Sequence, residues 1–548
     1  MKRTARLEGV VGWPSEAQAR FRDAGIWRGQ TLSAWFAERA ELFGEHTAVV
    51  DGARRVSYHE LRQRVARLAG GLAATGVGEL DRVILQLPNS LALVETLLAS
   101  SWLGAVPVLA LPAHRRAELA AFAKHARAST LIVAARHAGS DMLEVAEAVQ
   151  AELVGLRRVL VHGAPSVPAP FHALEPLSAH APVPSSPLPQ GHDVALLQLS
   201  GGSTGIPKLI ARTHDDYLYS VRESARVCEL STSTRFLAAL PMTHNFTLSS
   251  PGILGVFHAG GSVVACANPS PEVALRLLVE ERITLVASVP SLVRAWLEAK
   301  PRHLGALTLP GLTLQVGGAR LDAGLARELL SGFGGRLQQV FGMAEGLVNY
   351  TRLSDSHEVI CETQGRPLSE HDEIRIVSVD DPRGAAVAPG ELGELQTRGP
   401  YTICGYFDNA EADAEAFTSD GFYRTGDLVR LTASGNLSVE GRIGDRISRG
   451  GEKIAPQEIE AELRRHPSVR EVALVGLPDP LLGEKSHAFV ISADSAQPLT
   501  TAGARAFLRG RGLAEFKLPD AVHVLTELPL TKVGKTDRAA LRKFLVTT

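Results

Sequence analysis

Seven short stretches of this chain combine residue types that can do chemistry. The first, Leu199 to Lys208 (LSGGSTGIPK), contains six Ser, Thr or Gly residues in ten. Glycine lets backbone N–H groups approach an anion closely, hydroxyls such as those of Ser200, Ser203 and Thr204 can donate to it, and Lys208 adds a positive charge. The spacing is not that of a GxxxxGK[ST] P-loop, and Pro207 precedes the lysine. On composition alone the stretch fits a phosphate cradle and a flexible surface turn about equally.

The other six are as short. In PMTHN (Pro241 to Asn245), His244 and Asn245 follow a strand pattern and so stand where ligands bind in open α/β sheets. A lone histidine there is more often a satisfied structural residue. Gly317-Gly318-Ala319 follows the run ending at Val316 and suits either a flat ring lying on backbone or a plain turn. In FGMAEGLVNYT (Phe341 to Thr351), Glu345 could hold Mg²⁺ against phosphate oxygens, or simply start a helix. Asp427 of YRTGD can accept two hydrogen bonds from a ribose diol or initiate a turn. Gly441 to Lys453 (GRIGDRISRGGEK) has four basic residues and four glycines, too mobile a composition for an ordinary strand and suited to a hinge plus a binding loop. Pro529 to Arg538 (PLTKVGKTDR) presents Lys532 and Lys535, which as a solvated pair would carry no function.

The elements that must position these stretches follow from periodicity. Apolar runs at Arg82–Leu87, Val106–Ala110, Thr130–Ala134 and Val194–Leu199 read as strands. The patterns Thr31–Phe43, Tyr58–Ala74, Ser90–Trp102 and Ala117–Ala126 read as helices. Alternation resumes from Phe236 to Phe341 and predicts parallel sheet built from βαβ units. Gly163 to Gly191, rich in Pro, Ala and Ser, reads as a long surface connection. Asp372 to Thr397 turns to short strands with Gly and Pro, an antiparallel subdomain. A new β/α pattern starts after Gly441. The fold class expected is α/β: a large N-terminal body of βαβ-built sheets with a small antiparallel subdomain, residues 1–441, then a small mobile α+β C-terminal domain, residues 442–548.

Composition narrows the function classes. The 548 residues are 45% hydrophobic and 21% charged, with a net charge of −2. That balance argues against nucleic-acid binding and against a polybasic membrane protein. No run of 18 apolar residues suggests a transmembrane span. The N-terminus lacks an apolar core of signal-peptide length. Cys228, Cys266, Cys361 and Cys404 form no CxxC pair and read as reduced thiols, so a cytoplasmic protein is expected.

Taken in order, LSGGSTGIPK, GELGEL (Gly390 to Leu395), RGPYTICGYF (Arg398 to Phe407), YRTGD, GRIGDRISRGGEKI and PLTKVGK resemble the adenylate-forming superfamily of acyl-CoA synthetases, luciferases and nonribosomal adenylation enzymes. The resemblance runs from about Thr31 to Leu545. PMTHNFTLSSPG and FGMAEGLVNYTRL look closest to the stand-alone aryl acid adenylating enzymes of siderophore biosynthesis, which activate 2,3-dihydroxybenzoate or salicylate and load an aryl carrier protein.

The resemblance implies ATP and Mg²⁺, and two half-reactions. A carboxylate attacks the α-phosphate and releases pyrophosphate; a thiol then attacks the acyl-adenylate and AMP leaves. It implies phosphate contacts from Ser200, Gly201, Gly202, Ser203, Thr204, Gly205 and Lys208, and Mg²⁺ ligation by Glu345 with Thr204. The nucleotide would lie along Gly317, Gly318, Ala319 and the run Val340, Phe341, Gly342, Met343, Ala344, with its ribose on Asp427 helped by Arg442. Lys535 would bridge the carboxylate and the α-phosphate. His244, Asn245, Phe246, Ser250, Gly317, Val340, Gly342, Val348 and Asn349 would line the aryl pocket, His244 also serving catalysis. The C-terminal domain would turn about a hinge near residues 442–445, bringing in Lys535 for adenylation and Gly450, Gly451 and Lys453 for thioester formation. The usual hinge Asp or Lys is replaced by Gly444.

Asn245 is neutral and suits an acid without an amine. Ser250 and Val348 favour 2,3-dihydroxybenzoate over salicylate, whereas Phe246 points the other way. No carrier domain is appended before Thr548, so the aryl carrier protein is expected in trans, the enzyme itself being a monomer or weak dimer. An aryl- or acyl-CoA ligase is the alternative.

Overall fold

Two sheets with parallel cores grow from the apolar runs. The computed structural model describes residues 7–200, 208–379, 381, 386–449, 452–454, 456–479, 482–494, 498–511, 513, 515–531 and 534–544. Packing divides the chain into two compact units. The first comprises Met1–Ile360, Gly365–Glu373 and Arg398–Tyr423; the second comprises Cys361–Gln364, Ile374–Thr397 and Arg424–Thr548.

In the first unit, a seven-stranded sheet runs in the order Leu209–Thr213, Val194–Leu199, Val106–Leu109, Arg82–Gln86, Thr130–Ala134, Arg158–His162, His172–Ala173. Its inner strands are parallel and nearly all buried, as their unbroken apolar runs require; the Val194–Leu199/Leu209–Thr213 hairpin closes one edge in antiparallel register. A nine-stranded sheet has Thr313–Gly317 and Arg336–Gly342 as parallel neighbours, with Gly317 opposite Val340. Val348–Tyr350 folds back antiparallel on the latter, placing Asn349 opposite Phe341. Helix starts are marked by side-chain caps: Thr31, Ser57, Ser90 and Thr213 each accept a backbone N–H from the first turn.

The connection from Gly163 to Gly191 is more ordered than its composition suggests. It contains the strand His172–Ala173 and a 3₁₀ turn, Glu175–Ala179. Val183 N–H donates to Ala66 O at 3.1 Å and Ser186 N–H to Trp102 O at 2.7 Å, so two helices anchor it. Those partners lie about 80 to 120 residues upstream, beyond the reach of any local periodicity.

In the second unit, a four-stranded sheet runs Glu373–Val377, Gly393–Arg398, Tyr423–Leu431, Leu437–Arg442, and a five-stranded sheet is built on the long hairpin Val469–Asp479/Gly483–Ser492. Here the expectation of a segment too mobile for strands is corrected. Gly441 and Arg442 end one strand, and Ile447–Arg449 pairs with Glu452–Ile454 in an antiparallel hairpin. Ile447 and Ile454 are fully buried, and that burial outweighs the local glycine content. YRTGD likewise lies within a strand rather than at a turn. All four cysteines are free thiols. Among the described residues no helix is long and apolar enough to cross a membrane.

Candidate active site

The neck of the LSGGSTGIPK stretch is held by two reciprocal bonds. Ser200 N–H donates to Lys208 O at 2.9 Å and Lys208 N–H to Ser200 Oγ at 2.9 Å. Gly201, Gly202, Ser203, Thr204 and Gly205 lie outside the described residues. Lys208 Nζ sits 4.6 Å from the centroid of the Tyr406 ring. The hydroxyl of that same tyrosine donates to Glu345 Oε1 at 3.1 Å and lies 3.1 Å from the Tyr423 hydroxyl. Tyr406 therefore ties the phosphate-side lysine to the predicted metal carboxylate.

Glu345 is held on its main chain as well. Ile403 N–H donates to Glu345 O at 2.8 Å, and Arg212 Nη1 donates to Ala344 O at 2.8 Å. Arg212 is buried in the strand Leu209–Thr213; its Nε donates to Asp216 Oδ1 at 2.7 Å and its Nη2 to Tyr401 O at 3.2 Å. Burial pushes the Asp216 carboxyl up, opposed by Arg212 and by donation from Thr213. Backbone packing adds to the clamp, because a Cβ on Gly346 would lie 2.6 Å from Thr402 Cα. Glu345 is itself buried, and among the described residues its Oε2 receives no hydrogen bond. A carboxylate with one oxygen left over suits Mg²⁺, which is usually held by one or two protein carboxylates. No cluster of three His, Cys, Asp or Glu side chains that could hold a metal ion alone occurs among the described residues.

Next to this clamp, Gly317 ends its strand opposite Val340 of the parallel neighbour, with Gly318 and Ala319 exposed just beyond and Gly342 exposed at the end of the neighbouring strand. A Cβ on Gly317 would lie 2.6 Å from Val340 O and 3.1 Å from the Phe246 ring, so glycine keeps that surface flat. Phe341, Met343 and Ala344 continue along the same edge, half-buried. His244 caps the short helix Asn245–Ser249: its Nδ1 accepts the Phe246 N–H at 3.2 Å, which puts the ring proton of a neutral imidazole on Nε2. Asn245, Phe246, Ser250 and Val348 are all buried. Asn245 Oδ1 accepts from the Tyr217 hydroxyl at 3.0 Å and from Ser249 Oγ at 3.1 Å. Asn349 is fully buried, with its Nδ2 donating to Phe341 O at 3.2 Å and its Oδ1 without a partner among the described residues.

In the second unit, Asp427 and Arg442 face each other in register, with Arg442 Nε donating to Asp427 Oδ1 at 2.9 Å. Lys535 sits on a tight turn: Thr531 N–H donates to Lys535 O at 2.6 Å, and Lys535 N–H to Thr531 Oγ1 at 3.1 Å. Arg538, three residues on, anchors this turn by a 2.7 Å ion pair to the buried Glu460. Burial alone would push the Glu460 carboxyl up; Arg538, with Arg464 and the Leu474 N–H, outweighs it and holds the group below the usual carboxylate range. Lys453 lies in the hairpin strand Glu452–Ile454, and Gly450 and Gly451 fall outside the described residues. Gly444 needs no left-handed backbone here, and a Cβ on it would meet nothing within 4 Å.

Residue types alone did not single out Arg212, Tyr217, Gln198 and Tyr406. Each had a faint signal: Gln198 and Arg212 are polar residues inside apolar strands, and Tyr406 stands in RGPYTICGYF.

A lysine and a clamped carboxylate joined through Tyr406, with a flat strand-end surface formed by Gly317, are residue types that could hold a nucleotide and its metal. The chain belongs to the AMP-binding enzymes: residues 36–407 match the AMP-binding enzyme family and residues 458–535 match the AMP-binding enzyme C-terminal domain. Within that family it is 47% identical over 537 residues to the 2,3-dihydroxybenzoate-AMP ligase of Bacillus subtilis (strain 168), spanning 98% of both chains. It is 45% identical to a salicylyl-CoA synthase / salicylate adenylyltransferase from Streptomyces sp, spanning 98% of this chain and 97% of that protein. The apo structure of Mycobacterium smegmatis MbtA superposes with a TM-score of 0.75 at 42% identity, covering 98% of each chain.

Proposed function

We propose that this enzyme activates an aryl acid, 2,3-dihydroxybenzoate first and salicylate next, to the aryl-adenylate with release of pyrophosphate. It then passes the acyl group to the phosphopantetheine thiol of an aryl carrier protein in siderophore-type nonribosomal peptide synthesis. The observation that carries the choice of acid is the neutral, buried polar cluster around Asn245, which offers hydrogen bonds and no carboxylate to an α-amine. Ser250, buried beside it, suits a second ring hydroxyl.

The chemistry asks for positioning and charge neutralisation more than for covalent help. The acid's carboxylate oxygen attacks the α-phosphorus and the bond to the pyrophosphate oxygen breaks. Ser200, Ser203, Thr204 and Lys208 hold the departing pyrophosphate. Glu345 and Thr204 would hold Mg²⁺, which when bound offsets phosphate charge. Gly317 to Ala319 and Val340 to Ala344 line the base, Asp427 and Arg442 hold the ribose, and His244 flanks the reacting carboxylate. Lys535 bridges carboxylate and α-phosphate, a task for a compact charge on a flexible stem. Residues 442–548 serve as the mobile C-terminal domain about a hinge near 442–445, with Lys453 acting in the thioester step. There the thiolate sulfur attacks the acyl carbon and AMP leaves.

A second acceptor is favoured by one finding: the Streptomyces relative is named for a CoA thioester as well as for adenylate transfer. Incubating enzyme, ATP and 2,3-dihydroxybenzoate with either a phosphopantetheinylated aryl carrier protein or CoA separates the two. Acylated carrier without CoA thioester is expected; efficient CoA-thioester formation would make it an aryl-CoA ligase.

A further inference from the structure

The Asn245 amide stands at the end of a directional hydrogen-bond chain. Gln198, buried in the strand Val194–Leu199, donates from Nε2 to the Tyr217 hydroxyl oxygen at 3.1 Å. Tyr217 passes its own proton on to Asn245 Oδ1 at 3.0 Å, and Ser249 Oγ donates to the same oxygen at 3.1 Å. Ser249 Oγ also lies 3.3 Å from Asn245 O, so its single proton serves one of these oxygens at a time, whereas the Tyr217 proton holds the amide oxygen directly. The amide nitrogen has two protons and, among the described residues, a single long contact, 3.5 Å to Ser250 Oγ. A buried donor of this kind needs a partner, and where the described residues offer it little a ligand can supply one. Burial pushes the Tyr217 hydroxyl up to about 12, so the chain keeps its direction at neutral pH.

We infer that Tyr217, oriented by Gln198, fixes the polarity of the acid pocket by holding the Asn245 amide with its N–H toward the ligand, so that the site selects acids carrying a hydrogen-bond acceptor ortho to the carboxylate. The inference rests on the aryl acid reading above. An ortho hydroxyl meets this demand, because its proton turns to the neighbouring carboxylate and its oxygen is left to accept. An ortho amine does not: its lone pair is drawn into the ring, and it presents N–H to N–H. Tyr217 is a positioning residue in this role.

Steady-state adenylation with salicylate, 2-aminobenzoate and benzoate tests it on the wild type, Tyr217→Phe and Gln198→Leu. The phenyl ring of the first variant still packs against Arg212, whose guanidinium lies 4.9 Å from the Tyr217 ring centroid. The wild type should prefer salicylate over both other acids. In Tyr217→Phe the ratio of kcat/KM for salicylate to that for 2-aminobenzoate should fall roughly tenfold or more, with benzoate little changed, and Gln198→Leu should shift the ratio the same way by less. A merely structural role would lower all three acids together. Variants that keep the wild-type ratios, or a wild type that accepts 2-aminobenzoate as well as salicylate, would overturn the inference while leaving aryl acid activation intact. A wild type that activates none of the three would overturn the functional reading and this inference with it.

Discussion

Replacing Tyr406 by Phe removes one hydroxyl and keeps the ring that faces Lys208. It loses the 3.1 Å contact with the Tyr423 hydroxyl and, the bond that matters for the metal, the 3.1 Å donation to Glu345 Oε1. Glu345 is only 7% exposed, so water cannot simply take the place of the hydroxyl. A hydrogen bond to a charged group contributes about 1.5–3 kcal/mol, equivalent to roughly 10- to 150-fold in an equilibrium constant. Ile403 N–H and Arg212 still hold the Glu345 segment by its main chain, which points to the lower end. Partners that orient a metal-binding carboxylate typically cost about 10- to 100-fold in metal affinity when removed. The variant should therefore need roughly tenfold more Mg²⁺ for half-maximal ATP–pyrophosphate exchange, with the KM for the aryl acid little changed. An unchanged Mg²⁺ dependence would refute both the clamp and the assignment of Glu345.

Other perturbations probe separate parts of the molecule. Lys535→Ala should abolish adenylate formation while ATP binding, measured by calorimetry, largely persists; adenylate formed at the normal rate would remove Lys535 from its role. Burial pushes the Asp372 carboxyl up to about 7, despite donation from the Tyr401 hydroxyl at 2.6 Å. The folded form thus binds this proton more tightly than the unfolded chain, whose carboxyl titrates near ~3.9. Its contribution to stability is full below the unfolded value, declines as pH rises from about 4 to 7, and stays lost above that. Asp372→Asn keeps an acceptor for Tyr401 and should flatten the Tm–pH profile across that window; an identical slope in the variant would contradict the burial argument.

Strands and helices of the βαβ body could be read from the sequence because their signals are local: Tyr58–Ala74 and Thr130–Ala134 have the expected bounds. The segment after Gly441 misled, because four glycines and four basic residues hide two strands whose cohesion comes from the burial of Ile447 and Ile454. Candidate site residues could be named where family strings carry them, as with Lys208, Glu345 and Asp427. The supports behind them were not. Arg212 reaches Ala344 across 132 positions and Tyr406 reaches Glu345 across 61, distances over which spacing carries no signal. The Asn245 amide shows the same limit: its residue type suggested a neutral acid, but only the bonds from Tyr217 and Ser249 decide which end of the amide is left for the ligand.

ATP–pyrophosphate exchange with purified enzyme across benzoate, salicylate, 2,3-dihydroxybenzoate and 3-hydroxybenzoate tests the central claim most directly. Exchange should be strongest with 2,3-dihydroxybenzoate, next with salicylate, and weak with the two acids that lack an ortho hydroxyl. Exchange with none of the four, or equal exchange with all of them, would contradict an aryl acid site built on Asn245.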